Sequence, residues 1–316
     1  MYSLSSIKHI LKSTDSVIGN AEVNFSRLGD TNNVDEDTLD WIHSTNSDPF
    51  TYYQQSKAKI IIVPRSLEDR IHSANTDKTS IVTDNPMLLF ARIARELFVD
   101  KPVPGIHPSA VIHPQARVGK DVYIGPLCYI GKCEIGDKCI IHSHVSIEDN
   151  VKIGANVLIK NGARIGQPGF GFVKNEVDDY EKFPQIGSVI IEDNVEIGAN
   201  SCIDRGALSI TRIGRGTKID NMVQVAHNVQ IGENCLIAGY AGLGGSSQIG
   251  NNVWIGPKSS IKFGVTVGDG AFINTGSVVI NNVKPREDVI GYPAESKAMF
   301  IRKKRELFRL CKERKK

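Results

Sequence analysis

An aliphatic residue returns at every sixth position through most of the chain after residue 105. The pattern is most regular between residues 219 and 245, where the repeated positions are Ile219, Val225, Ile231, Ile237 and Leu243. Gly, Asn and Asp follow these aliphatic residues, as expected where a backbone turns sharply. A period of six is typical of three short strands joined by tight corners, each strand pointing one aliphatic side chain inward. The predicted fold class is mainly β, a left-handed parallel β-helix of hexapeptide repeats.

The period also predicts which residues lie above one another. Three hexads make a coil of 18 residues, and neighbouring coils stack at roughly the 4.7 to 4.9 Å of paired strands. One residue is deleted before Ile135, and two insertions interrupt the register, at residues 167–188 and 204–212. Elsewhere, residues 18 apart are expected to be vertical neighbours.

The first 104 residues lack this period and predict a small α/β domain. Ala58–Val63 is typical of a buried strand, Ser80–Thr83 resembles an edge strand, and Met87–Phe98 has a helical period. Asp84 and Asn85 are suitable residues to cap that helix. The predicted domains are the small α/β domain at 1–104, the β-helix at 105–290 with an inserted loop at 167–188, and a basic helical tail at 291–316.

Charge and composition narrow the function classes. The 316-residue chain has a net charge of +3, but residues 297–316 hold ten Lys or Arg and two Glu, a local +8 that leaves −5 elsewhere. A basic tail on an acidic body argues against a general nucleic-acid-binding protein. No apolar run approaches a membrane span in length, and the first residues lack the apolar core of a secretory signal. A cytoplasmic protein without a transmembrane segment is therefore expected.

The cysteines and the paired histidines do not indicate a metal site. Cys128, Cys139 and Cys235 each lie four residues after a repeat-defining isoleucine, at small inward-facing positions, so they are interpreted as packing residues. His142 and His144 lack a third histidine in register and are interpreted as surface residues. Neither a metal nor a tightly bound cofactor is expected.

His227 is the candidate for chemistry within the regular ladder. It lies two residues after Val225, at a position where a side chain leaves the coil toward the adjacent groove. The 18-residue rule places Gly245 one coil above it, so that a backbone N–H faces the same point. A base next to such a donor suits acyl transfer, since the nucleophile loses a proton while the carbonyl oxygen gains charge. Asn228 or Asp220 is the candidate to orient the imidazole, although Asp220 equally suits a turn.

Several motifs carry a resemblance to a known family. The segments GFGF, FPQIG, IEDNVEIGANSCIDRGAL, IDN and VQVAHNVQIG resemble the UDP-3-O-acylglucosamine N-acyltransferases of lipid A biosynthesis, within residues 58–293. The resemblance implies a homotrimer of β-helices that moves a 3-hydroxyacyl chain from acyl carrier protein to the amine of a nucleotide sugar. It also implies that His227 is the general base, that Gly245 is the oxyanion donor, and that the site lies between subunits.

The longer insertion supplies candidate substrate contacts. Its aromatic residues argue against plain disorder, because exposed aromatic side chains in a solvated loop normally cover something. Phe170, Phe172, Lys182 and Gln185 are expected to reach over the groove and contact the nucleotide or the sugar. The alternative is that the phenylalanines only pack.

The sequence also departs from this family. A Phe, Asn-Pro and Tyr cluster holds the uracil in the family, whereas the matching segment here, residues 41–47, keeps one aromatic residue, so Trp41 and Asn46 are the remaining candidates. Gly264 stands where the family commonly has a second histidine. The basic tail, with Lys297 and Arg302, resembles the coenzyme A end of hexapeptide acyltransferases. Gly264, Lys297 and Arg302 are therefore the candidates for binding the acyl donor.

Two further hypotheses stay open. One is an N-acyltransferase that uses an acyl coenzyme A, rather than acyl carrier protein, to modify a dTDP- or UDP-linked amino-deoxysugar for surface polysaccharide. The other, from a different class, is a non-catalytic paralogue that binds a nucleotide sugar. The retained pair of His227 and Gly245 counts against the second.

Overall fold

The structure, a computed structural model, describes residues 1–29, 33–43, 47–74, 76–291 and 297–313, with the backbone alone for residues 297–300 and 312–313. Within it the chain divides into two compact units, Met1–Lys101 and Pro102–Lys316. Among the described residues, no helix is both long and apolar enough to cross a bilayer.

The first unit is built on a five-stranded sheet. The strand order in this sheet is Ser16–Ile18, Thr79–Thr83, Ile60–Pro64, Thr38–Trp41 and Arg27–Leu28. A separate antiparallel pair joins Tyr2–Ser3 to Asn24–Phe25. Helices lie at Leu4–Ile7, Pro49–Gln55, Glu68–His72 and Pro86–Leu97, with a short 3₁₀ helix at Arg65–Leu67. The last helix packs on the sheet through Leu89 and Ile93.

One expectation for this unit holds and one does not. Asn85 caps the helix Pro86–Leu97, because its side chain accepts a hydrogen bond from the Leu88 N–H at 3.0 Å. The interpretation of Ser80–Thr83 as an edge strand is wrong, since Thr79–Thr83 lies between two other strands and all five of its residues are buried. Internal hydrogen bonds satisfy the polar side chains that suggested an edge; Ser80 Oγ, for example, donates to the Tyr53 hydroxyl at 3.0 Å.

The second unit is a coil whose strands stack into three parallel sheets. The first sheet contains Gly105–Ile106, Tyr123–Ile124, Ile140–Ile141, Leu158–Ile159, Glu196–Ile197, Lys218–Ile219, Leu236–Ile237, Trp254–Ile255, Phe272–Ile273 and Asp288–Val289. The second contains Val111–Ile112, Tyr129–Ile130, Ser146–Ile147, Arg164–Gln167, Cys202–Asp204, Gln224–Val225, Gly242–Leu243, Ser260–Ile261 and Val278–Val279. The third contains Arg117–Val118, Glu134–Ile135, Val151–Ile153, Ser188–Ile191, Ile210–Ile213, Gln230–Ile231, Gln248–Ile249 and Thr266–Val267. The predicted parallel β-helix is confirmed.

The register follows the hexad pattern through its interruptions. Val118 pairs with Ile135, which absorbs the deleted residue, and Val225 pairs with Leu243 at the full 18-residue spacing. The longer insertion, expected to be a loop, contains an antiparallel hairpin of Phe172–Lys174 and Tyr180–Lys182. An insertion at one corner lengthens the connection without moving the inward aliphatic residues, so the coils on both sides stay aligned.

The repeated aliphatic residues form one continuous core along the coil. The three cysteines at inward positions, Cys128, Cys139 and Cys235, are buried in it, and all six cysteines of the chain are free. This confirms that they are packing residues. The tail forms the predicted helix, Lys297–Glu313.

Candidate active site

The imidazole of His227 is held by the side chain of the next residue. Its Nδ1 lies 2.9 Å from Asn228 Oδ1. The same oxygen accepts a hydrogen bond from the Ala207 N–H at 3.1 Å, which identifies it as the acceptor end of the amide. Nδ1 must then carry the imidazole proton, and Nε2 keeps its lone pair. The half-buried His227 therefore has Nε2 as the ring nitrogen that can accept a proton.

Asn228 is fixed by its backbone conformation as well as by its side chain. Its φ is 65°, a left-handed conformation that Asn tolerates better than most residues. Its Nδ2 donates to Ser209 Oγ at 2.6 Å, and its N–H donates to Thr211 Oγ1 at 2.8 Å. The 204–212 insertion therefore supplies the groups that orient Asn228 and, through it, the imidazole.

Asp220, the other candidate to orient the imidazole, lies at a different corner of the coil. It follows the first-sheet strand Lys218–Ile219, whereas His227 follows the second-sheet strand Gln224–Val225. The Asp220 carboxylate accepts from the Asn221 N–H at 2.7 Å and from the Gly239 N–H at 3.0 Å. The expectation that Asp220 orients His227 is corrected accordingly: Asp220 is a turn residue.

Gly245 lies directly above the imidazole, as the 18-residue spacing predicts. Ser246 N–H donates to the His227 carbonyl at 2.9 Å, which joins the two corners. A Cβ built on Gly245 would lie 2.8 Å from Cε1 and 2.9 Å from Nε2 of His227. Only glycine lets this backbone approach the base so closely.

The Gly245 N–H differs from six of its equivalents in other coils. At this position, two residues after the inward aliphatic residue, those six N–H groups donate to an Asp or Asn one coil above. The donors and acceptors are Lys120 with Asp137, Lys132 with Asp149, Ala155 with Asp193, Ala199 with Asn221, Glu233 with Asn251 and Asn251 with Asp269. Above Gly245 the residue is Phe263. Within the described parts of the chain, no acceptor reaches the Gly245 N–H, so this donor is available to a ligand next to the imidazole.

The first residues of the 167–188 insertion lie against the imidazole. A Cβ on Gly169 would lie 2.9 Å from His227 Cβ and 3.3 Å from Gln185 Oε1. Gln185 is 8% exposed, and the Ile186 N–H that follows it donates to the Ala207 carbonyl at 2.7 Å. The FPQIG, DRGAL and AHN segments are thus joined by hydrogen bonds around one histidine.

Asp204 is a second ionisable group near the imidazole. Its carboxylate accepts a hydrogen bond from Gln224 Nε2 at 2.8 Å. Burial raises the pKa of the Asp204 carboxyl to about 6, and the Gln224 hydrogen bond and the electrostatic interaction with His227 offset part of that rise. A half-buried carboxyl that titrates near neutrality is a common feature of functional sites.

An open groove of about 1200 Å³ starts next to the residues that hold Asn228. Ser209, which accepts from Asn228 Nδ2, lines it. Its wall also includes two exposed apolar residues, Ile186 and Leu208, and three basic ones, Arg117, Lys132 and Lys152. The groove can accept a ligand with both an apolar and an anionic part.

The remaining candidates lie at various distances from the base. Phe170 and Phe172 contact each other, with ring centroids 5.0 Å apart, and both are exposed, as is Lys182. Gly264 is exposed at φ +69°, with open space around it, and its N–H donates to the Gly245 carbonyl at 3.0 Å. The substrate contacts of Phe170, Phe172 and Lys182 and the donor contact of Gly264 therefore stay predictions.

Trp41 in the first unit is half-buried and stacks on Phe90, with ring centroids 5.6 Å apart. Arg302 lies on the C-terminal helix and is exposed. Asn46 and the side chain of Lys297 lie outside the described residues. The predicted substrate and donor contacts of these residues stay predictions.

Sequence reasoning missed three residues around the base: Gly169, Asp204 and Phe263. Phe263 was accessible through the spacing alone, because it lies 36 residues, or two coils, after His227. Its ring centroid is 6.5 Å from that of the imidazole. Gly169 and Asp204 lie at or next to the insertions, where the 18-residue rule does not apply.

Comparisons with known proteins match the repeat. Residues 132–167, 210–245 and 246–281 match the family model "Bacterial transferase hexapeptide (six repeats)", and residues 188–221 match "Hexapeptide repeat of succinyl-transferase". Among solved structures, the UDP-N-acetylglucosamine acyltransferase of Francisella novicida aligns with a TM-score of 0.54 at 26% identity, over 63% of this chain and 73% of that one. The UDP-N-acetylglucosamine O-acyltransferase of Moraxella catarrhalis aligns with a TM-score of 0.53 at 29% identity, over 63% and 77%. The fold is the left-handed β-helix of these proteins.

Curated relatives are named UDP-3-O-acylglucosamine N-acyltransferase. The protein from Caulobacter sp. (strain K31) is 35% identical over 146 residues, covering 46% of this chain and 43% of the relative. The one from Rhizobium meliloti (strain 1021) is 42% identical over 160 residues, covering 51% and 45%. The chain thus spans a little under half the length of the curated relatives it matches. Over that half it is similar to the UDP-3-O-acylglucosamine N-acyltransferases, which confirms the resemblance carried by its motifs.

Proposed function

We propose that this chain is an N-acyltransferase that moves a (3-hydroxy)acyl group from an acyl thioester to the amine of a nucleotide-linked amino sugar. The observation that carries the proposal is the arrangement at His227, where Asn228 leaves Nε2 free as a base and the uncapped Gly245 N–H lies next to it. The names of the curated relatives and of the solved structures support the same chemistry.

The reaction follows from this geometry. The sugar amine attacks the thioester carbon while His227 Nε2 removes its proton, a contribution of about 10²- to 10⁴-fold for general base catalysis. The Gly245 N–H donates to the carbonyl oxygen as it becomes an oxyanion, and one such donor contributes about 10²- to 10³-fold. When the C–S bond breaks, the imidazolium returns the proton to the leaving thiolate.

The groove next to the site suits both ends of such a substrate. Ile186 and Leu208 offer apolar surface to an acyl chain, and Lys132 and Lys152 offer positive charge to a diphosphate, whereas Arg117 pairs with Glu134 in the same groove at 3.2 Å. In the first unit, an open cavity of about 720 Å³ includes Phe50 and Arg70, whose guanidinium lies 3.9 Å from the Phe50 ring centroid. An aromatic ring beside a cation supports the proposal that this unit binds a nucleotide.

The acyl donor is either acyl carrier protein or coenzyme A. The basic helix Lys297–Glu313 suits the acidic face of a carrier protein and the phosphates of coenzyme A alike. Two observations favour the coenzyme A-dependent alternative, on a dTDP- or UDP-linked amino-deoxysugar. Gly264 offers no imidazole at its open position, and Trp41 stacks on Phe90 within its own unit.

The functional assembly is proposed to be a cytoplasmic homotrimer. An outward column of Leu236, Trp254 and Phe272 is exposed on one sheet, with the two aromatic rings 5.7 Å apart and 4° from parallel. An exposed apolar stack of this kind supports packing against another subunit. A cytoplasmic location follows from the proposed substrates, since acyl thioesters and nucleotide sugars are cytoplasmic metabolites, and lipid A biosynthesis is the pathway that the relatives support.

The test is a matrix of donors and acceptors. Acyl carrier protein and coenzyme A thioesters are each combined with UDP- and dTDP-linked amino sugars, and amide products are followed by mass spectrometry. Product in a carrier-protein row supports the first form of the proposal, and product only with coenzyme A supports the alternative.

His227→Ala is expected to lower turnover by about 10²- to 10⁴-fold without changing the mass measured by light scattering. Binding of nucleotide sugars with no product in any combination would establish the non-catalytic hypothesis instead.

A further inference from the structure

The carboxamide of Gln185 has one end satisfied and the other free. Its Nε2 donates to the Phe183 carbonyl at 3.4 Å. Its Oε1 is buried, and no donor within the described residues reaches it. The opposite orientation of the amide would set Oε1 against the Phe183 carbonyl oxygen, so the free end is the oxygen. A buried, unpaired acceptor costs folding free energy and is retained where a ligand completes it.

This oxygen and the imidazole both lie against Gly169. A Cβ on Gly169 would lie 3.3 Å from Oε1, 2.9 Å from His227 Cβ and 3.1 Å from His227 Cδ2. A Cβ on Gly245 would lie 2.8 Å from Cε1, 2.9 Å from Nε2 and 3.3 Å from Cδ2. The imidazole thus has Gln185 Oε1 beside one of its glycine neighbours and Gly245 as the neighbour of Nε2.

We propose that Gln185 Oε1 accepts a hydrogen bond from the attacking amine and makes the site selective for an amine over a hydroxyl. The inference rests on the proposed function and specifies the nucleophile. An amine has two N–H groups and one lone pair: the first N–H gives its proton to His227 Nε2, the second donates to Oε1, and the lone pair forms the C–N bond as the C–S bond breaks. A hydroxyl that gives its single proton to His227 has only lone pairs left to meet Oε1, which is repulsive.

The same oxygen is thus an attraction for one nucleophile and a penalty for the other. Sites that hydrogen-bond a substrate group discriminate strongly against analogues that lack it, because a buried polar group is then left unpaired. The solved neighbour from Moraxella catarrhalis is named an O-acyltransferase and the curated relatives are named N-acyltransferases. Both names occur around one fold, so a local determinant of the nucleophile is required.

The experiment compares two acceptors that differ only in a 2-amino or a 2-hydroxyl group on the same nucleotide sugar, with one acyl thioester. Gln185→Met removes the acceptor oxygen at similar length. For Gln185→Met, kcat/KM with the amine is expected to fall about 10- to 100-fold, while kcat/KM with the hydroxyl falls less or rises. Since Gln185 is buried, Gln185→Ala serves as a second variant and is expected to lower the preference in the same direction.

The possible outcomes distinguish a failure of this inference from a failure of the proposed function. Equal losses with both acceptors in the variants show a merely structural role and overturn the inference. An unchanged preference in Gln185→Met overturns it as well, while the wild-type activity upholds the proposed function. A wild-type protein that acylates neither acceptor overturns the proposed function and this inference together.

Discussion

Phe263 lies one coil above Gly245, at the position where six other corners carry an Asp or Asn that accepts a hydrogen bond from the N–H below. Phe263 supplies no such acceptor to the Gly245 N–H next to His227. An N–H without this partner is available to a ligand, which is the basis of the proposed oxyanion contact.

Restoring the missing acceptor is expected to block this donor. Phe263→Asn places an amide oxygen above the Gly245 N–H, as Asn251 does above Glu233. The expected result is a fall in kcat of about 10²-fold, because the oxyanion loses its donor to a competing acceptor. The measurement is kcat with both substrates saturating.

Phe263→Leu is the matched control, since it shortens the side chain without adding an acceptor. It is expected to stay within a few-fold of wild type, and both variants are expected to keep the wild-type melting temperature or exceed it. Equal kcat values for Phe263→Asn and Phe263→Leu would show that the Gly245 N–H does not act in the reaction.

A methyl group at Gly245 is expected to displace the imidazole. The added Cβ would lie 2.8 Å from His227 Cε1, closer than carbon atoms approach without strain. The ring must turn, and a displacement of about 1 Å at a reacting group costs about 10²-fold in rate. Gly245→Ala is therefore expected to lose about 10²-fold in kcat, as measured at saturating substrate.

Gly242→Ala is its control on the adjoining strand, because a Cβ there meets nothing within 4 Å. It is expected to fold with an unchanged or slightly higher melting temperature, since alanine restricts the unfolded chain more than glycine does. Similar kcat values for the two alanine variants would remove the steric argument for Gly245.

The part of this site that lies within the regular ladder could be predicted from sequence. The pairing of His227 with Gly245 follows from Val225 and Leu243, because two inward aliphatic residues cannot change register without exposing the core. The same spacing would have found Phe263. What the hexads cannot show is how the insertions fold back, because Gln185 lies within an insertion and Asp204 lies where one begins.

In the first unit, too, the position of a strand depends on a distant segment that the local sequence pattern does not show. The sequence pattern of Thr79–Thr83 reports a short polar strand, but its position in the sheet depends on pairing with Ser16–Ile18, more than 60 residues earlier in the chain. Such distant pairing leaves no local signal. Whether Asn228 or Asp220 orients the imidazole likewise depends on which corner of the coil each residue occupies. The six-residue period answers this only when the corners are counted from a known strand.

Changes at Asn228 are expected to alter the pH dependence of the reaction. Asn228→Asp keeps an oxygen facing His227 Nδ1 and adds a negative charge that stabilises the imidazolium, so the acid limb of kcat/KM is expected to move to higher pH. Asn228→Gly keeps the left-handed backbone but removes the oxygen, and it is expected to lower kcat by at least about 10-fold because the imidazole loses its orientation.

The measurement is a pH profile of kcat/KM for wild type and both variants. Circular dichroism melts show whether the corner stays folded. A profile for Asn228→Asp that superimposes on the wild type would indicate that the Asn228 oxygen does not contact the imidazole during the reaction.

Asp204 is expected to make the protein less stable as pH rises from about 4 to about 6. Burial raises the pKa of this carboxyl to about 6 in the folded chain, against about 3.9 in an unfolded one. Between these values the folded state binds the proton more tightly, so each step upward in pH costs stability until the loss is complete above about pH 6.

Asp204→Asn keeps an oxygen to accept from Gln224 and removes the ionisation. The melting temperature of the variant minus that of wild type is expected to grow from pH 4 to pH 6 and to level off above it, and subtracting the wild type at each pH cancels every other carboxylate. A difference that stays constant over this range would mean that Asp204 is not desolvated in the folded protein.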